Sequence, residues 1–257
     1  METLFQLEEN DRYKIKVILF DKKIHLRLAR KWHQANLVEL TYIDSDATLE
    51  DELVSEELKE FDMVLIVVAG TGIVVAQQIA TIAKKYHNLL TVAVISLPLF
   101  LADKASTIEA FSQSVDSSII IPLDELLIAN DELLELLARI VESLCNPIVQ
   151  PGLMCIDFLD IRVIFEKGKR ARVGFGSAET AYQAALQAFT SQFLGRIDWA
   201  KIGGVLINIV SDASFRIEDF QTIFEVCETF INEDAIIVAS PTIEGSSDEI
   251  RVTVIAV

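Results

Sequence analysis

The first half of the chain alternates between short apolar segments and longer amphipathic ones. Apolar runs bounded by charged or turn-forming residues predict strands, and segments with apolar residues at helical spacing predict helices. The predicted strands are 13–20, 37–43, 63–69, 89–97 and 117–123, and the predicted helices are 22–34, 49–61, 73–86, 103–115 and 130–144. This alternation predicts a doubly wound α/β domain, in which a parallel sheet carries helices on both faces.

The pattern changes after Pro147 and Pro151. A turn and a short helix cover 155–165, and later strands and helices end in two strands with no helix between them. These later elements are predicted at 171–178 (strand), 179–194 (helix), 202–210 (strand), 216–231 (helix), 234–240 (strand) and 248–257 (strand). We therefore predict a nucleotide-binding type of domain followed by an α+β half with a mixed sheet, with the boundary between them near 145–157.

Composition narrows the classes of partner. The 257 residues are 51% hydrophobic and carry a formal net charge of −17, which disfavours nucleic acid and anionic membranes as direct partners. No apolar run reaches the roughly 18 residues that a membrane helix needs, and the acidic N-terminus lacks the apolar core of a secretion signal. We expect a cytoplasmic protein that does not insert into a membrane.

Cysteine and histidine spacing indicates no metal centre and no disulfide framework. Cys145, Cys155 and Cys227 are far apart in the sequence, with no CxxC pair, and we expect three reduced, packed thiols. The three histidines have no partners at metal-ligand spacing, so we expect no metal site.

A glycine turn follows the third predicted strand. Gly70, Thr71 and Gly72 lie between strand 63–69 and helix 73–86. In doubly wound sheets ligands bind at the carboxyl ends of the strands, and a helix N-terminus there can hold a phosphate. The sequence leaves two interpretations open, a plain tight turn or a vestigial phosphate site.

Several segments resemble the bacterial division protein family FtsZ, of the tubulin superfamily. In the second half these are "VQPGLMCIDFLDIRVIF" (149–165), "GVLINIVSD" (204–212) and "SDEIRVTVIAV" (247–257). In the first half they are "FDMVLIVVAG" (61–70), "LTVAVISLPL" (90–99) and "VDSSIIIPLD" (115–124). The resemblance covers residues 14 to 257. It implies a GTPase-type domain over 1–129, a long central helix with a catalytic-type loop over 130–157, and a C-terminal activation-type domain over 158–257.

The differences between this sequence and the family pattern are concentrated in the segments with which the family binds GTP. The family's glycine-rich loop after the first strand is replaced by Leu19-Phe20-Asp21-Lys22-Lys23, in which a phenylalanine fills the space and an aspartate repels phosphate. The family's second glycine signature is reduced to Ala69-Gly70-Thr71-Gly72, and its loop that senses the γ-phosphate is replaced by one short helix within 46–61. The family's asparagine after the fifth strand is Leu123, followed by Asp124.

The catalytic-type loop is better preserved. In the family two acids of this loop act in trans on the nucleotide of the next subunit, and the matching positions are Asp157 and Asp160. Their i, i+3 spacing puts both carboxylates on one side of a helix, where they can orient a water. The alternative is that Asp157 is only the N-cap of the helix and Asp160 favours the same dipole. Cys155 replaces the family's asparagine.

Together, the resemblance and its departures predict an FtsZ-like cytoskeletal protein that is deficient in GTP binding and hydrolysis. It acts through self-assembly or association with FtsZ-type subunits, and we expect no bound cofactor. One alternative is a slow GTPase that uses Gly70, Thr71 and Gly72 for phosphate and Asp157 and Asp160 in trans. Another is a protein-binding module without nucleotide. The family's anchors grip a tail beyond the last strand, and because the sequence stops at Val257 we expect no recruitment by that route.

Overall fold

The computed structural model describes residues 13–32, 37–96, 102–121, 129–149, 153, 156–244 and 249–257. Within these residues the strands are β1 (Ile15–Leu19), β2 (Val38–Tyr42), β3 (Met63–Ala69), β4 (Leu90–Ser96), β5 (Ser117–Ile120), β6 (Arg170–Ala178), β7 (Gly204–Ser211), β8 (Ile236–Ile243) and β9 (Ile250–Ala256). The helices are α1 (Lys22–Lys31), α2 (Asp51–Leu58), α3 (Ile73–Ala83), α4 (Ala102–Ser114), α5 (Asn130–Val149), α6 (Phe158–Glu166), α7 (Ala181–Phe189) and α8 (Ile217–Glu228).

The described strands form one continuous sheet in the order β2-β1-β3-β4-β5-β6-β9-β7-β8. The strands from β2 to β6 run parallel, whereas β9 is antiparallel to both β6 and β7. The predicted doubly wound first half and mixed second half are therefore confirmed. The division into three segments stays a prediction. Strands β5 and β6 connect the first segment to the third through a short parallel pairing of Ser118 and Ile119 with Arg170 and Ala171.

The first half of the sheet has a separate apolar core on each face. Strand residues alternate between the faces, so Val17 and Leu65 pack with α1, α5 and α6, whereas Ile18 and Val64 pack with α2, α3 and α4. A third core lies between β7, β9, α7 and α8. Helices on both faces explain why β3 is apolar throughout, because a parallel strand between two helix layers has no solvent-exposed side.

Two helices end at places that the sequence pattern does not predict. Helix α5 continues to Val149, five residues beyond the predicted end, with Pro147 inside it. Leu144 and Cys145 are fully buried, and their packing offsets the backbone hydrogen bond that proline cannot donate. Helix α7 stops at Phe189, and a short 3-10 turn follows at Gln192–Leu194. The Thr190 hydroxyl donates back to the Leu186 carbonyl over 2.6 Å at this break.

Lys16 is a buried charge in the middle of β1. Its side chain is 2% exposed, and its ammonium group forms ion pairs with Glu39 on β2 and Glu57 on α2. The ammonium also lies 5.4 Å from the centre of the Phe61 ring. These contacts compensate the loss of hydration and attach α2 to the edge of the sheet.

Two cysteines give a direct test of packing. Cys145 and Cys227 are buried and free, as the sequence predicts, and Cys155 lies outside the described residues. Burial raises the pKa of the Cys227 thiol to about 12 and that of Cys145 further still. Because the thiolate is the reactive form, we expect Ellman's reagent to label a Cys155→Ser variant only when urea unfolds it. Rapid labelling without urea would contradict the packing of α5 and α8.

Helices long and apolar enough to cross a bilayer are absent from the part of the chain that the structure describes.

Candidate functional site

The carboxyl ends of the parallel strands form one edge of the sheet, which we call the top edge (residues 20–23, 43–50 and 70–72). The first of these segments follows β1, the second follows β2 and the third follows β3. Residues 97–100 and 122–128, which follow β4 and β5, lie outside the described residues, and with them Leu123 and Asp124. The top edge is where a doubly wound fold binds its ligand.

The glycine turn is a tight connection between β3 and α3. Gly70 and Gly72 have φ angles of +79° and +87°, a left-handed region that favours glycine. The Gly70 amide donates to the Ser96 carbonyl over 3.2 Å, and Gly72 is the N-cap of α3. No side chain accepts a hydrogen bond from the first amides of α3, so the positive end of the helix dipole is not neutralised by a capping group. The turn itself is confirmed, and its role in holding phosphate stays a prediction.

Phe20 covers that turn. Its side chain is 5% exposed and belongs to the core of α2, α3 and α4. A β-carbon added to Gly72 would lie 2.3 Å from Phe20 Cδ1 and 2.7 Å from Cγ. The phenyl ring therefore packs against Gly72, a contact that the sequence analysis did not predict, and whether Phe20 excludes a nucleotide stays a prediction.

Asp21 has a role that our sequence analysis missed. It is the N-cap of α1, and its Oδ1 accepts hydrogen bonds from the amides of Lys23 (2.8 Å) and Ile24 (3.1 Å). These amides are the donors that the start of a helix offers to an anion. An aspartate directly before an apolar, helix-spaced segment is a capping signal that the sequence contains. The Asp21 carboxylate therefore occupies two of the free amides at the start of α1, and its effect on phosphate binding stays a prediction.

Asp157 and Asp160 lie at the opposite edge, which we call the bottom edge (residues 13–14, 59–62, 84–89 and 157–160). The Tyr13 hydroxyl, just before β1, donates to Asp157 Oδ1 over 3.3 Å, and the Tyr13 and Phe158 rings are 4.7 Å apart. Arg162 on α6 donates to the carbonyls of His87 and Asn88, just before β4. These contacts fix the start of α6 beneath the amino ends of the strands.

The two acids have the helix-start geometry expected of them. Asp157 is the N-cap of α6, where Oδ1 accepts from the Leu159 amide over 3.0 Å, and Asp160 stands in the first turn. Both residues are exposed. The capping interpretation is therefore confirmed for Asp157. The role of Asp157 and Asp160 in trans stays a prediction.

One chain does not bring the predicted site residues together. Gly70, Thr71 and Gly72 lie at the top edge, and Asp157 and Asp160 at the bottom. The seven residues of β3 separate the edges by about 20 Å at the rise of a strand. A reaction that uses both groups requires two copies stacked end to end. The part of the chain that the structure describes also contains no group of three or more metal-ligating side chains.

Comparisons with known proteins support this fold and topology. Residues 169–257 match the family model described as FtsZ family, C-terminal domain. The cell division protein FtsZ of Haemophilus influenzae is 34% identical over 233 residues, covering 80% of this chain and 55% of the relative. FtsZ of Pseudomonas aeruginosa is 30% identical over 240 residues, covering 83% of this chain and 60% of the relative. The chain thus spans a little over half the length of these curated relatives.

Solved structures show the same fold. The empty FtsZ dimer of M. jannaschii superposes with a TM-score of 0.84 at 22% identity, covering 96% of this chain and 89% of that one. GDP-bound CetZ1 of Haloferax volcanii superposes with a TM-score of 0.70 at 12% identity, covering 95% and 93%. The architecture is therefore that of the FtsZ/tubulin class. Within this class, residues 169–257 match the C-terminal domain of the FtsZ family, and most of the chain is similar to FtsZ proteins at 30–34% identity.

Proposed function

We propose that this protein is an FtsZ-like cytoskeletal component of cell division that binds and hydrolyses GTP poorly or not at all. It acts through assembly with itself or with FtsZ-type subunits. The single observation that carries the proposal is that side chains of the chain itself occupy the top edge. There the Asp21 carboxylate accepts hydrogen bonds from the first amides of α1, and the Phe20 ring packs against Gly72.

A phosphate at the start of α1 must first displace Asp21. The displaced carboxylate stays covalently attached a few ångströms away, so a second negative charge at that point is repelled at short range. The capping hydrogen bonds are also lost, which costs about 1 kcal/mol of helix stability. Phe20 must leave an apolar core at the same time. Each of these changes lowers the affinity for a nucleotide.

The proposed assembly is supported by structural similarity to proteins that are solved as a dimer or a protofilament. The M. jannaschii structure is an FtsZ dimer, and that of CetZ2 from Haloferax volcanii, with a TM-score of 0.59, is a GTPγS-bound protofilament. The exposed acids at the bottom edge and the turn at the top edge are positioned for end-to-end contact between copies. Nucleic acid stays outside the proposal because the chain is strongly acidic.

A slow GTPase is the second candidate, and one observation favours it. The start of α3 has no side-chain cap, and a β-carbon at Gly70 would meet nothing within 4 Å, so the turn keeps some open space and its dipole end. In this alternative Gly70, Thr71 and Gly72 hold phosphate weakly, and Asp157 and Asp160 of the next copy orient the attacking water.

Thermal unfolding with nucleotide separates the two candidates. A dissociation constant of about 10 µM implies roughly 2.7 kcal/mol of stabilisation at about 1 mM nucleotide, which corresponds to several degrees in Tm. We expect no saturable shift of the wild-type Tm with GTP, GDP or ATP. A saturable shift at micromolar GTP would contradict the proposed loss of GTP binding and would favour the GTPase alternative, for which release of phosphate from GTP is the further measurement.

A matched variant tests the physical reason. In Phe20→Gly/Asp21→Gly both obstructing side chains are removed, and we expect this variant to gain a GTP-dependent shift relative to its own nucleotide-free Tm. Asp21→Asn is the control, because asparagine keeps the cap without the charge. If the double variant gains nothing, Phe20 and Asp21 are not what excludes the nucleotide.

A further inference from the structure

We propose that the outer side of β2 binds an extended peptide segment of another protein, which adds a strand to the sheet. We call this surface the β2 edge (residues 38–42). The peptide alternates apolar and basic side chains, with the apolar ones on the α1 side of the sheet and the basic ones on the α2 side. The contact lies outside the end-to-end assembly proposed above and does not depend on it.

Strand β2 stands at one end of the described sheet, and only its side toward β1 is paired. The Leu37 carbonyl and the Ile43 amide form hydrogen bonds with residues of β1. The backbone groups of a strand point alternately to its two sides, so those of Val38, Leu40 and Tyr42 point away from β1. Among the described residues these amides and carbonyls have no hydrogen-bond partner. An unpaired edge of this kind is a template for another extended segment.

The side chains of the β2 edge on the α1 side are apolar. Val38 is buried, Leu40 is partly buried against the core of α1, α5 and α6, and Tyr42 is 38% exposed. The Tyr42 ring lies 6.4 Å from the His25 ring on α1, and Lys22 stands one turn before His25. Apolar side chains of a peptide would extend the core here, whereas basic ones would lie near Lys22.

The α2 side of the β2 edge carries an excess of negative charge. Glu39 on β2 and Glu57 on α2 are 57% and 51% exposed, and both form an ion pair with the buried ammonium group of Lys16. Two carboxylates share one cation, so one negative charge is left over. Asp44 and Asp46 are exposed in the loop that follows β2. Only Lys59 is positive among the other charged residues between 47 and 60, which are Glu50, Asp51, Glu52, Glu56, Lys59 and Glu60.

These charges favour a basic peptide over a second copy of this chain. Antiparallel pairing of two β2 strands centred on Leu40 would bring both copies of Glu39 to neighbouring positions on the α2 side, each with Glu57 beside it. Like charges across paired strands are destabilising, and each chain has a net charge of −17. A lysine or arginine of the peptide beside Glu39 is instead attracted. Charges on an edge strand commonly prevent pairing between copies in this way.

A synthetic peptide tests the charge match. The probe is a seven-residue peptide of alternating lysine and valine, with both ends blocked and a fluorescent label, and fluorescence anisotropy measures its binding to the whole chain. We expect saturable binding at low salt that weakens as salt is added. A peptide with glutamate in place of lysine is the control and is expected not to bind. Equal binding of the two peptides overturns the proposed chemistry of the partner.

Methylation of the peptide backbone separates strand addition from simple charge attraction. In an extended peptide the valine amides point to one side and the lysine amides to the other. Methylating either set keeps the charge and blocks hydrogen bonding along that side alone. We expect one of the two methylated peptides to bind the wild-type chain roughly tenfold more weakly than the other. Equal affinities overturn the strand addition.

A proline on the protein side gives an independent test. Tyr42→Pro removes an amide that points away from β1, and edge strands tolerate proline at such positions. Tyr42→Ala is the matched control, because it loses the same side chain and keeps the amide. With circular dichroism confirming that both variants fold, we expect Tyr42→Pro to bind the lysine–valine peptide roughly tenfold more weakly than Tyr42→Ala. Equal affinities of the two variants count against the β2 edge as the binding surface.

Sedimentation equilibrium of the protein alone distinguishes a peptide from a second copy. If the wild type and Tyr42→Ala self-associate whereas Tyr42→Pro stays monomeric, the β2 edge joins two copies and the peptide partner is overturned. Self-association that is the same in all three chains agrees with the proposal, because end-to-end assembly does not use the outward amides of β2. Failure of the peptide to bind overturns this inference and leaves the proposed function standing.

Discussion

Gly176→Val is expected to lower the free energy of unfolding by about 3 kcal/mol or more, because it forces overlap with an immovable backbone. A β-carbon at Gly176 would lie 1.9 Å from the Ala184 carbonyl oxygen and 2.8 Å from the Ala188 amide nitrogen of α7. The whole helix has to lift off β6 to make room. The Gly176 carbonyl also accepts a hydrogen bond from Arg139 on α5 over 3.0 Å, so α5 is disturbed as well.

Urea denaturation measures this effect, with Gly70→Ala as the control. Gly70 has no neighbour within 4 Å of an added β-carbon, so only its positive φ angle opposes alanine, at about 1–2 kcal/mol. The larger loss is expected at Gly176, with an unchanged m-value. Equal losses at the two positions would show that α7 does not pack on β6 as closely as described.

Phe20→Ala is expected to destabilise the protein by about 3–5 kcal/mol, as for other buried aromatic side chains. Gly72→Ala adds a β-carbon that overlaps the same ring at 2.3 Å and also imposes the positive-φ cost. In the double variant the ring is gone, so the backbone part of the Gly72→Ala cost remains together with a tight 3.0 Å contact to the β-carbon of residue 20. The losses of unfolding free energy in the two single variants, added together, are therefore expected to exceed the loss measured in the double variant by about 1–3 kcal/mol.

This double-mutant cycle tests the contact that closes the nucleotide turn. Chemical denaturation of the wild type, both single variants and the double variant yields the coupling energy. Gly70→Ala paired with Phe20→Ala is the control and is expected to be additive, because no contact joins Gly70 to the ring. If the effects of Gly72→Ala and Phe20→Ala are additive, Phe20 does not cover the turn, and one of the two observations behind the proposed loss of GTP binding fails.

Much of the fold could be predicted from local patterns. The order of strands and helices follows from hydrophobic periodicity, and the parallel sheet follows from their alternation. Gly70 and Gly72 indicate a tight turn because few other residues adopt a positive φ angle. The sequence also predicts that the large side chain of Phe20 follows β1 in place of a glycine-rich loop, and its effect on nucleotide binding stays a prediction.

Other features depend on contacts between distant residues, and no local pattern contains them. Asp21 is oriented toward the amides of α1 only once that helix has formed, and the ring of Phe20 reaches Gly72 only because β1 and β3 are paired. Helix α5 continues past Pro147 because tertiary burial outweighs a local preference. The placement of the glycine turn and the two acids at opposite edges also follows from the folded sheet, because only strand direction decides which loops share an edge.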